Sequence, residues 1–181
     1  MLLEFVSAVM LAAAAPQSVA SGGPECATAG ACRHVGDVSF KLNGRTAVFH
    51  INRDLPWITQ GNVVLFPGEA VVVRLTSVNG QLQPELVASG AEARAHKLID
   101  GEVSLVFEVG ASGSLLTARS SYGGIIHYDA TMVGPDNKPQ HTSICPVGSG
   151  MAGYEQWPHP IVQLALSNFQ IVDPSTGMTC S

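Results

Sequence analysis

Hydrophobic and polar residues alternate with a period of two along much of this chain, in short stretches separated by turn residues. Val38, Phe40 and Leu42 interleave with polar residues, and Phe49 and Ile51 carry the return across Asn43-Gly44. Val71, Val73 and Leu75 repeat the pattern before Asn79-Gly80. Val103, Leu105, Phe107 and Val109 repeat it after Asp100-Gly101, with residues 96–99 as the other arm of a third hairpin. Side chains on a strand point alternately to its two faces, so each set marks one buried face. Asn-Gly and Asp-Gly between such runs mark tight hairpins, because their central residues tolerate positive φ. Pro84 falls in the strand returning from Asn79-Gly80. With no N–H to donate, it belongs at a sheet edge or a bulge. Residues 53–62 (RDLPWITQGN) and 89–94 read as connections. Beyond the N-terminal segment no stretch shows a sustained helical stripe.

The C-terminal third alternates best. IIHYDATMV puts Ile126, Tyr128, Ala130 and Met132 on a core face, and His127, Asp129 and Thr131 on the other. Symmetric closure around GPDNKP would pair Val133 with Gln140, Met132 with His141 and Tyr128 with Cys145. In the last strand Val162, Leu164 and Leu166 share one parity, whereas Phe169 and Ile171 share the other. That phase change at Ser167-Asn168 predicts a β-bulge. Between these strands GSGMAGYEQWPHP (148–160) reads as a Pro/Gly-rich loop.

Short strands divided by turn chemistry predict an all-β, antiparallel two-sheet sandwich of roughly eight to ten strands, immunoglobulin-like in architecture, with a barrel as the second choice. The immunoglobulin pattern of a cysteine, a core tryptophan and a second cysteine is not matched, so only the architecture is meant. A chain of 181 residues, 46% hydrophobic and 13% charged, fits one folded domain. The domain is expected over residues 35–181, after a cysteine-containing segment at 21–34.

Residues 1–20 predict a signal peptide. An apolar run from Phe5 to Ala15 is too short to span a bilayer, and Ser18-Val19-Ala20 fits a cleavage site. Glu4, with no Lys or Arg in the first five residues, departs from the usual basic start. Four cysteines follow that point, and an even count in an exported chain implies two disulfides. The expected pairs are Cys26–Cys32, a local clip, and Cys145–Cys180, a long one. Their spacing matches no zinc motif. Periplasmic or secreted localisation follows, with no transmembrane segment in the mature chain. A net charge of −5 and nine scattered Lys and Arg exclude a nucleic-acid partner, which needs a basic patch.

Three sets of residues carry candidate chemistry. Trp57, Tyr154, Glu155, Trp157 and His159 make a binding set, with aromatic faces suited to a sugar or peptide and one carboxylate. They motivate the first expectation: a non-catalytic exported protein that binds an extracytoplasmic protein, peptide or glycan through loop 148–160. His141, Met132 and Met151, with His159, offer imidazole and thioether for copper or another metal. His127 and Asp129, two apart on one face, offer a base and its orienting carboxylate for a hydrolase, with Glu155 as a further acid. No nucleophile motif accompanies them, and no cofactor is implied.

Overall fold

The alternation resolves into two packed antiparallel sheets in the computed structural model, which describes Cys26, residues 32–42 and 45–173, Ser175, Thr179 and Cys180. The expected signal peptide and the Asn43-Gly44 turn lie outside the described residues. Twelve strands are described: β1 (Cys32–Leu42), β2 (Arg45–Pro56), β3 (Ile58–Thr59), β4 (Asn62–Leu65), β5 (Ala70–Val78), β6 (Gln81–Ser89), β7 (Glu102–Gly110), β8 (Gly113–Ser120), β9 (Ile125–Val133), β10 (Pro139–Thr142), β11 (Ala152–Trp157) and β12 (Gln163–Val172). The first sheet runs β10-β9-β12-β4-β3 and the second β11-β8-β7-β5-β6, while β1 and β2 form a separate long hairpin. The described strands form no closed barrel.

The predicted faces meet between the sheets. Val73, Val103, Leu105, Phe107 and Leu116 from the second sheet are fully buried against Leu65, Ile126, Tyr128, Leu164 and Leu166 from the first. In β12 the phase does change: Asn168 takes φ 51°, the register shifts between Ser167 and Gln170, and Leu166 and Phe169 both reach the core. Ile171 falls outside it, 57% exposed. Pro84 sits on β6, an outer strand of its sheet, where a missing N–H breaks no ladder.

Several local expectations need correction. Residues 53–62 are not one loop. β2 continues to Pro56, and a two-residue turn at Gln60-Gly61, both with positive φ, joins β3 to β4. Asp100-Gly101 is a turn but not a hairpin, because residues 96–99 form no strand. The 89–94 connection holds a helix, α1 (Gly90–Ala95). It is under two turns long, too short to show a stripe in the sequence. Its Ala93 packs on Ala70, Val72 and Ala88, which explains why β5 reads as a continuous apolar run: α1 covers the face that would otherwise meet water.

The exit from α1 is held by Glu102, which is fully buried. Its carboxylate accepts from Arg74 Nη2 at 2.8 Å and the Ile99 N–H at 3.1 Å, and lies 2.8 Å from His96 Nε2. Burial alone would raise its pKa, but those partners more than offset it and hold the pKa below the ordinary value of 4.5. A lowered folded pKa means that the stabilisation is complete above the unfolded value and is lost as pH falls through the folded one. Glu102→Gln should therefore cost about 1–3 kcal/mol at neutral pH. Urea titrations should show that the gap between wild type and variant narrows below pH 4.5. A gap independent of pH would show that the charge is not what matters.

The N-terminal hairpin packs as a third unit. Val35, Val38 and Phe40 of β1 meet Phe66 and Val162, and Phe40 stacks on Phe49 with ring centroids 5.3 Å apart. Both expected disulfides are present, Cys26–Cys32 and Cys145–Cys180. No helix among the described residues is long and apolar enough to cross a membrane.

Candidate functional site

The binding set does not converge on one surface. Residues 152–157 are no loop: they form β11, an outer strand paired with β8. Alternation therefore splits them. Trp157 is buried, and its Nε1 donates to Thr142 Oγ1 at 2.7 Å. Glu155 turns the same way, accepts from the Cys145 N–H at 2.7 Å, and lies close enough to Tyr128 to add to burial in raising that phenol's pKa. Trp57 is buried in the central core, with the Arg33 guanidinium 4.1 Å over its ring. The two tryptophans thus fill the interior and make no exposed patch. His159 lies beyond the end of β11, where its carbonyl accepts from Ser114 Oγ. Tyr154 points outward from β11, 65% exposed, and His159 is exposed beyond the strand's end.

The metal set is also dispersed. The β9–β10 register is one residue off symmetric closure, with Met132 opposite Gln140 and His141 opposite Thr131. Met132 and His141 therefore occupy opposite faces of the first sheet. Met132 and His159 share a cavity of about 270 Å³ with Asp136 and Gln140, whereas His141 lines a different one. Met151 precedes β11 at its other end, across six residues or roughly 20 Å of strand. No group of three His, Cys, Asp or Glu able to hold a metal occurs among the described residues.

Nor do the catalytic candidates gather. Asp129 accepts from Asn168 Nδ2 at 3.1 Å, and His127 Nδ1 lies 3.5 Å from Gln170 Nε2. His127 is buried rather than solvated, and it does not line the cavity that Asp129 shares with His141. Glu155 belongs to the other sheet.

What the fold does assemble is a groove on the outer face of the second sheet. α1 covers the β5 side of that face and reaches Val106 of β7, leaving β8 and β11 open, with Ser104 at the groove's floor only 9% exposed. Cross-strand pairing fixes two rows of outward side chains: Ala152–Arg119–Ser104 and Tyr154–Thr117–Val106. Arg94, from the last turn of α1, closes the opposite wall. Its guanidinium donates to Glu108 at 3.1 Å and to the Gly68 carbonyl at 3.0 Å. Arg94, Ser104, Val106, Glu108, Thr117 and Arg119 enclose about 220 Å³. A neighbouring depression of about 520 Å³ shares Glu108 but is otherwise lined by Ser39, Pro67, glycines and small or aliphatic side chains. It is the larger of the two, yet it holds no cation or aromatic ring.

No family model, curated protein or solved structure matches this sequence.

The groove must therefore be judged on its own chemistry, and Arg119 distinguishes it. The side chain is exposed and makes no ion pair or hydrogen bond with the described residues. Its cross-strand neighbours, Ala152 and Ser104, carry no charge. The one carboxylate diagonal to it, Glu102, is already engaged by Arg74 and His96. Tyr154 stands opposite Thr117 and so on the same face, one row along. The sequence held half of this signal: 104, 106 and 108 in β7 and 115, 117 and 119 in β8 are the outward complements of the core positions. That α1 walls them in was not legible.

Proposed function

We propose that this chain is an exported, non-catalytic binding protein, acting in the periplasm or outside the cell, whose ligand lies on the open face of the second sheet. Two disulfides support an oxidising compartment, as does the cleavable N-terminal pattern. The observation that carries the reading is the exposed Arg119 guanidinium, without a partner among the described residues, one row from an exposed Tyr154 and above hydroxyl-bearing Ser104 and Thr117. These groups can grip a ligand without unfolding anything, because none of them holds the core. The proposed binding surface is therefore the strand face that presents Ala152, Tyr154 and Gln156, rather than the expected loop 148–160 as a whole.

Tyr154→Ala and Arg119→Ala should each weaken capture of array-bound glycans or peptides by tenfold or more, about 1.4 kcal/mol, with an unchanged thermal midpoint. Trp157→Ala should instead lower the midpoint. Capture that survives both surface changes would overturn this reading.

A further inference from the structure

The charge and shape of the groove narrow the ligand class. We infer that it takes an acidic oligosaccharide, with a carboxylate or sulfate on the Arg119 guanidinium and a sugar ring against Tyr154. This inference rests on the reading that the open face of the second sheet is the binding surface.

Charge is the first argument. The lining holds two guanidiniums and one carboxylate, and Glu108 already neutralises Arg94. The surplus is a single positive charge at Arg119, on a chain whose net charge is −5. A planar guanidinium presents a fork of donors that matches a carboxylate or sulfate two bonds at a time. With Ser104 and Thr117 beside it, the anion's neighbours can also be hydroxyls, which these side chains both donate to and accept from.

Shape is the second. Tyr154 offers an exposed ring with a polar tip, a surface that takes an amphipathic partner. The groove and the 520 Å³ depression share Glu108 in their linings and so adjoin at its side chain. An acidic peptide would need apolar anchor pockets in a desolvated centre, and the floor around Arg119 supplies Val106, the further aliphatic side chains lying beyond Glu108 in the adjoining depression. A nucleic acid would need several cations along its backbone, and the groove is lined by two, one of them paired with Glu108 and the other without a partner among the described residues.

The test is an array of oligosaccharides bearing uronic acid, sialic acid or sulfate, beside neutral counterparts and a peptide set, probed with the purified full chain. Expected is capture by acidic saccharides only, weakened by added salt, cut at least tenfold by Arg119→Gln and by Tyr154→Ala, and partly kept by Arg119→Lys. Equal capture of neutral saccharides, indifferent to R119Q but lost in Y154A, would overturn the acidic ligand and leave the binding face standing. Capture of peptides alone, sensitive to Y154A, would overturn the saccharide in the same way. Capture insensitive to both variants, or none at all, would overturn the face and the ligand together. Circular dichroism and thermal midpoints matching wild type show that each variant is folded.

Discussion

Replacing Arg33 by alanine is expected to destabilise the protein by about 2–4 kcal/mol, somewhat under the range for removing one member of a fully buried ion pair, because both partners keep some exposure. The side chain is 12% exposed and its partner Glu69 16%. Nε and Nη2 reach the two carboxylate oxygens at 2.8 and 2.9 Å, a bidentate pair. The remaining donors are also used: Nη1 on the Leu55 and Pro56 carbonyls, Nη2 on that of Val64 at 3.0 Å. The guanidinium further lies over Trp57 and Phe66. One residue of β1 thereby ties the N-terminal hairpin to β4 and to the segment before β5. Alanine would leave Glu69 charged in a partly buried site, with the Phe66 N–H the one donor left to its carboxylate among the described residues. Lysine would keep the charge but not the fork, and should recover less than half of the loss. Arg33→Ala with Glu69→Ala should cost less than the sum of the single changes, because the stranded charge is then gone. Urea midpoints at constant slope read all four variants. A loss below about 1 kcal/mol for Arg33→Ala would mean that the apolar hairpin contacts hold without the clamp.

That clamp marks the boundary of what the sequence could show. Alternation assigned Val103, Leu105 and Phe107, and again Ile126, Tyr128 and Ala130, to the core, because a strand with one buried face must place every second residue there. It also located the bulge at Ser167-Asn168, where the parity of apolar residues flips. Pairing between strands is another matter. The β9–β10 register depends on how Gly134, Pro135, Asp136 and Asn137 turn the chain: the Asn137 N–H closes on the Gly134 carbonyl and Asn137 takes φ 60°. One residue of difference sends Met132 and His141 to opposite faces, which is why a metal set that looked compact along the chain is not so in space. Residues 148–160 misled for a related reason. Glycines and prolines flank a six-residue strand whose partner, β8, lies more than thirty residues upstream. Trp157 could be read as a lid or a ligand platform until Thr142 was found to satisfy its indole N–H. Arg33, Arg94 and Arg119 are indistinguishable as letters. Only the fold makes the first a clamp, pairs the second and leaves the third without a partner among the described residues.

Loss of the Cys145–Cys180 bridge is expected to be the other large perturbation. With a sequence separation of 35 between the two cysteines, loop-closure entropy in the unfolded chain gives about 4 kcal/mol for this bond. The Cys26–Cys32 bond, with a separation of 6, gives about 2 kcal/mol by the same reasoning. The long bridge also anchors a segment with work to do. Residues 142–147 run behind β11 and support it from inside: Thr142 holds Trp157, the Cys145 N–H holds Glu155, and a side chain added at Gly153 would meet Val147 at 2.9 Å. Cys145→Ser with Cys180→Ser should therefore lower the urea midpoint more than Cys26→Ser with Cys32→Ser. It should also loosen β11 in hydrogen exchange before the core of β7 responds, since an edge strand that loses its inner support opens locally at less than the global cost. Tyr154 rides on that strand, so ligand capture should fall in the long-bridge variant under conditions where the sandwich is still folded. Equal midpoint losses for the two bridges, with β11 protection unchanged, would show that the crossing segment holds its place by packing alone.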